Sequence, residues 1–215
     1  VTGLVGYQAA LLLRSQRWLI PVLFYAAVLA AGSNGHEPLG DSLAWSAAMA
    51  IPAVAWLTRT CLTNEPASAR ACLAAAGGAR AAQLSALVVA LLGGVVMVVA
   101  GSAFEVLVSA APSGSPGRGA VTGAGFGAGL ACAVIGSAIG AIANPPLVRR
   151  SGAAPLLTVT LVVLALASTA SPALAAIHRA APARGSRLPL VPLLAAVVVA
   201  GAAWYASVLA AAHRS

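Results

Sequence analysis

Apolar residues along this chain gather into six long stretches separated by short segments rich in Arg, Pro and Gly. They run approximately over Trp18–Ala31, Leu43–Leu57, Leu84–Phe104, Gly119–Ala143, Leu156–Ala170 and Leu190–Ala212. About 20 apolar residues in a helix cross a hydrocarbon core roughly 30 Å thick. No water is available there to satisfy the backbone, so the stretches are expected to be helices. The first, second and fifth are short by this measure and draw on flanking polar residues. The pattern predicts an all-α integral membrane protein: one transmembrane domain over residues 1–215 with six spans.

The polar segments carry their own signals. Leu4–Gln16 reads as a helix with Leu4, Leu11 and Leu12 on one side and Gln8 and Ser15 elsewhere. It runs into Arg14, Arg17 and Trp18, residue types that anchor at headgroup level. It is either an interfacial helix entering the first span or an extension of that span. A cleaved signal peptide competes for the first span, but its n-region, Val1–Arg17, would be long and apolar at Leu11–Leu13. Between the second and third spans lies the loop 58–83. There Asn64 can cap a helix with Glu65 and Pro66 in its first turn, and Gly77 and Gly78 stop it. The predicted helix, Glu65–Ala76, offers Glu65 and Arg70 to the cytoplasm, as a connector or as a docking element. Ser109–Arg118 should be irregular, and Asn144–Pro146 should break the fourth helix. Ala173–Ile177 is apolar but too short to cross; it suits a short helix dipping into the outer leaflet or a surface hairpin.

Composition agrees with the span pattern. The chain is 60% hydrophobic and 7% charged, where a soluble domain carries about 25% charged residues. Its net charge of +8 comes from 12 basic residues, all Arg, against 4 acidic ones. The arginines sit singly or in small groups between spans, without a basic stripe or interleaved aromatics, so nucleic acid is not an expected partner. With the N-terminus inside, the cytoplasmic side receives Arg14, Arg17, Arg59, Arg70, Arg80, Arg149, Arg150 and Arg214. The outer side receives Arg118, Arg179, Arg184 and Arg187, which favours both termini inside. Glu37, Asp41 and Glu105 then fall outside, Glu105 just past the end of a span. The absence of Lys beside abundant Ala, Gly and Arg suggests a GC-rich bacterial gene and hence a bacterial plasma membrane.

The chemistry the chain lacks narrows its function. A Walker A loop needs a Lys for the nucleotide phosphates, and there is none. No acid falls mid-membrane, which disfavours a self-sufficient coupled carrier. His36, His178 and His213 are scattered, Cys61, Cys72 and Cys132 show no zinc or disulfide spacing, and no metal or catalytic residue is expected. Gly123, Gly125 and Gly127 mimic a dinucleotide fingerprint but follow no strand. Gly125 with Gly129, and Gly136 with Gly140, have instead the small-xxx-small spacing of close helix contacts, which an Ala/Gly-rich chain also produces by chance. Trp45, Met49, Pro52 and Trp56 share one helical face, to line a cavity or to meet lipid. Thr158 and Thr160, and Ser168 and Thr169 near the other end, are the polar candidates of the fifth span.

This outline resembles the membrane subunit of type-2 ABC exporters. The segment Asn64-Glu65-Pro66-Ala67-Ser68-Ala69-Arg70, followed by Ala76-Gly77-Gly78-Ala79-Arg80, is similar to that family's coupling segment. Ala173–Ile177 resembles its outer re-entrant hairpin. The resemblance implies that two permease subunits pair to form one pathway, as a homodimer or heterodimer. It also implies a separate ATPase subunit, carrying ATP and Mg, that docks on the inner surface at Glu65, Pro66, Arg70, Arg80, Arg149 and Arg150. The second and fifth spans would line the pathway, bringing in Trp45, Met49, Trp56, Thr158, Ser168 and Thr169. The expected cargo is a hydrophobic or amphipathic compound: an antibiotic, another secondary metabolite or a lipid-like molecule. A non-transporting membrane scaffold and a stand-alone channel or carrier are the competing readings.

Overall fold

The computed structural model describes residues 2–33, 37–66, 68–69, 72–73, 78–110, 117–148, 152–181 and 187–213. Among them, the named elements are all helices: α1 Thr2–Ser15, α2 Leu19–Gly32, α3 Leu39–Thr63, α4 Ala79–Val108, α5 Arg118–Ile142, α6 Ala153–Ala167, α7 Pro172–Ala180 and α8 Leu190–Ala212. Three of them, α4, α5 and α8, combine the length and apolarity needed to cross a membrane. A fourth crossing is reached if α6 and α7, bent by 43° across their break, count as one broken span. The chain is a membrane-embedded helical protein.

The second apolar stretch looked short, yet α3 has 25 residues, about 37 Å at 1.5 Å per residue. Its added turns carry polar side chains whose hydroxyls bond back to their own helix: Thr58 to Val54 O and Thr60 to Trp56 O. α3 is the centre of the bundle. It runs parallel to α5 and antiparallel to α4, and the three pack closely along most of their length. One end of the bundle carries Ser33, Ser109 and Gly117; the other carries Gln16, Asn64 and Asn144.

Size sorts the residues. The interior is built largely from Ala, Gly and Ser, with Ala50, Ala53, Ala124, Ala128, Ala131 and Ser137 fully enclosed. Large apolar side chains point outward instead, among them Leu92 and Val96 on α4, Leu156 and Val159 on α6, and Val198 on α8. In water such a surface would drive aggregation. In lipid it costs nothing, while small interior residues let helix backbones approach.

α1 is a helix of its own. Gln16, at φ 53°, breaks the chain before α2, so α1 is not an extension of the first span. Its buried side also differs from expectation. Gln8 and Leu12 face inward and Val5 and Ala9 pack beside the core, whereas the sequence pattern set Gln8 away from the apolar side.

Candidate functional site

The loop 58–83 begins inside α3 and ends inside α4, so less of it is connector than the sequence suggested. Of the expected helix Glu65–Ala76, residues 68–69 and 72–73 are helical, and Arg70 lies outside the described residues. Asn64 ends α3 rather than opening a new helix: it has α-helical backbone angles, and its Nδ2 donates to Leu11 O of α1 at 3.4 Å. Glu65 is not offered to solvent. It is buried, and its Oε1 accepts from Gln8 Nε2 at 2.9 Å. Pro66 and Arg80 are exposed. Gly78 has φ 82°, as its stop role predicts, although its ψ of 141° is extended rather than left-handed helical. Arg149 and Arg150 fall outside the described residues.

Gly125, Gly129, Gly136 and Gly140 lie where α5 meets its neighbours. A Cβ at Gly125 would meet Leu43 at 2.7 Å, and one at Gly129 would meet Val98 at 2.7 Å. At Gly136 the nearest neighbour is the α3 backbone itself, Ile51 O at 2.7 Å, and at Gly140 it is the Thr58 side chain, with Ala55 O behind it at 2.9 Å. These four positions form the contact that holds α5 against α3 and α4.

Trp45, Met49, Pro52 and Trp56 form the less buried stripe of α3, whose other faces are enclosed. Both indoles lean on α2. Trp45 Nε1 donates to Val28 O at 3.2 Å, and the Trp56 ring lies 6.1 Å from that of Phe24. The polar candidates of the fifth span do not join them in one cluster. Thr158 spends its hydroxyl on Ala154 O and Thr160 on Leu156 O. Ser168 and Thr169 sit exposed beyond the end of α6, about 15 Å further along at helical rise.

The structure adds a cavity that the sequence reading missed. An apolar cleft of about 500 Å³ separates α2 from α4. Leu12, Leu13 and Trp18 bound it at the Gln16 end, Leu57 of α3 forms its back, and Ala30, Gly101 and Phe104 lie towards the Ser33 end. It exists because α2 leans on α3 and barely meets α4. Gly93 and Gly101 let Leu57 and Tyr25 seat directly on α4, since a Cβ at either position would press on those side chains.

Beyond the cleft sits a buried polar cluster. Glu105 lies inside the last turn of α4, not past its end, and is fully enclosed. Its two carboxylate oxygens each lie 3.1 Å from Ser33 Oγ, whose single proton also has Leu29 O within 2.8 Å, and Oε2 accepts from Ser109 Oγ at 3.3 Å. Nearby, Tyr25 Oη and Ser46 Oγ share a hydrogen bond of 2.8 Å. The i,i+4 pair Glu105/Ser109 was visible in the sequence; Ser33, 72 positions away, carried no local signal.

Comparison with known protein families, characterised proteins and solved structures finds no match to this chain. Among the described residues, no three His, Cys, Asp or Glu side chains converge as a metal site would need. The arrangement offers an apolar cleft, an open aromatic stripe and a clasp between α1 and the end of α3. It can hold apolar matter.

Proposed function

We propose that this chain is the permease subunit of an ATP-driven ABC exporter, working beside a second permease subunit in a bacterial plasma membrane. Its six spans would be α2, α3, α4, α5, α6 and α8, with α7 as the outer re-entrant segment and both termini cytoplasmic. The observation that carries the reading is the clasp at Asn64 and Glu65. The loop after α3 is tied to α1 by two side-chain hydrogen bonds, from Gln8 and Asn64, and α3 is the most enclosed helix of the bundle together with α5. A force on that loop would therefore reach α1 and the bundle centre together. That is what a subunit without its own nucleotide site needs in order to be driven from a soluble ATPase. The exposed Pro66 and Arg80, with Arg70, Arg149 and Arg150, would meet that ATPase, which would hold ATP and Mg.

The cargo would be a hydrophobic or amphipathic compound, since the cleft and the Trp45/Met49/Trp56 stripe are apolar. Cross-linking from Pro66 and Arg80 in native membranes should capture a nucleotide-binding subunit. The reconstituted complex should then move a hydrophobic dye only with Mg-ATP. Recovery without an ATPase, or uphill dye movement by the chain alone, refutes the proposal.

A further inference from the structure

We infer that the cleft between α2 and α4 is a binding site for lipophilic monocations, whose apolar body fills the cleft and whose charge is met by Glu105. The cleft wall supplies hydrophobic burial and almost no polar contact, so it selects for an apolar body. Glu105 supplies the charge. Gly101 and Phe104 line the cleft one turn or less before it on α4, and Leu29 and Ala30 line it one turn before Ser33 on α2. The Glu105–Ser33 contact thus closes the Ser33 end of the same gap.

The carboxyl is fully enclosed and lies within hydrogen-bond reach of two serine hydroxyls; the cation that α5 places at this end, Arg118, gives its guanidinium to Val106 O instead. The other titratable groups around it are acidic or neutral: Glu37 from the α2–α3 connection and Tyr25 from α2. A buried carboxylate without a counterion is costly; it stays protonated or takes up a cation. An ionisable side chain enclosed in a membrane bundle is by default a functional group. Swinging Ser33 aside would open the carboxyl to a cation already seated in the cleft. A neutral or anionic molecule of the same shape would gain only the burial.

The inference names a cargo class for the proposed exporter, but binding can be measured without any ATPase. Loss of ATP coupling with binding intact sinks the exporter reading alone; loss of binding sinks this inference alone. Tetraphenylphosphonium and tetraphenylborate are close in shape and opposite in charge. The full chain in phosphatidylcholine nanodiscs, corrected for empty nanodiscs, should bind the phosphonium saturably and the borate not. Glu105→Gln should weaken phosphonium binding about tenfold or more, as loss of a charge-assisted contact does. Ala100→Phe, which fills the cleft, should abolish it. The phosphonium has no titratable proton, so its affinity for the unaltered chain should fall as pH is lowered and protons compete for the carboxylate. Equal saturable binding of both ions, no saturable phosphonium binding, unchanged affinity in Glu105→Gln or a flat pH profile overturns the inference. The ion comparison and the pH profile use the unaltered chain, so they decide the matter even if Glu105→Gln does not fold.

Discussion

Replacing Gly136 by alanine adds one methyl group where α5 meets the backbone of α3. That methyl would lie 2.7 Å from Ile51 O, 3.1 Å from Val54 Cβ and 3.3 Å from Ala55 N. Ile51 O and Ala55 N are four residues apart, the spacing of a helical hydrogen bond, so the methyl presses on backbone that cannot rotate away. Ordinary contact begins near 3.4 Å, and the helices must part by about 0.7 Å to reach it. α3 has little room to retreat, because Val54 is also held by Gly94 of α4, where a Cβ would stand 2.9 Å away. Overpacking of this kind costs about 1–3 kcal/mol, partly offset by about 1 kcal/mol of better helix propensity. The expected net effect is a destabilisation of up to about 2 kcal/mol. Gly201→Ala is the matched control. Nothing lies within 4 Å of its Cβ position, so only the propensity gain of up to about 1 kcal/mol remains. Thermal unfolding in detergent, followed by a thiol-reactive dye, reads both variants. Cys61 and Cys132 are buried and Cys72 is exposed, so a Cys72→Ser background reports only core opening. At about 2–4 °C per kcal/mol, Gly136→Ala should melt several degrees below Gly201→Ala. A Gly136→Ala variant melting at or above Gly201→Ala refutes the close-packing argument.

Other expectations follow from single contacts. Gln8→Leu leaves the enclosed Glu65 carboxylate without its Nε2 donor, at a cost of about 1–3 kcal/mol; limited proteolysis should then cut α1 faster, while unchanged protection would deny the clasp. Gly78→Ala forces a side chain into φ 82°, costing about 1–3 kcal/mol, and a melting temperature equal to that of the parent would show that the loop adapts freely. Trp45→Phe removes the hydrogen bond to Val28 O and should lower stability by about 0.5–1.5 kcal/mol, with spin labels on α2 reporting a looser α2–α3 contact. Equal mobility of α2 in the two proteins would show that the indole N–H does not hold it.

Sequence alone was enough to mark this chain as membrane-embedded and to place its long apolar helices. Apolar run length and Arg, Pro and Gly punctuation are local properties, and the helix boundaries follow them to within a few residues except at α3 and α4, where polar flanks were absorbed into helix. The glycine spacing on α5 was likewise readable, because a four-residue period repeats on one helical face. The partners of those glycines were not. What Gly136 touches depends on how α3 is rotated, and that is settled by simultaneous packing against α4 and α5. The same holds for the cluster that matters most chemically. Glu105 looked like a surface acid because a charge beside a loop usually meets water. Only the folding of α2 against α3 brings Ser33 over it, leaves α4 partly uncovered and opens the apolar cleft beneath. Long-range apposition of side chains 72 positions apart leaves no periodic trace in a sequence, so it emerges only once the helices have packed.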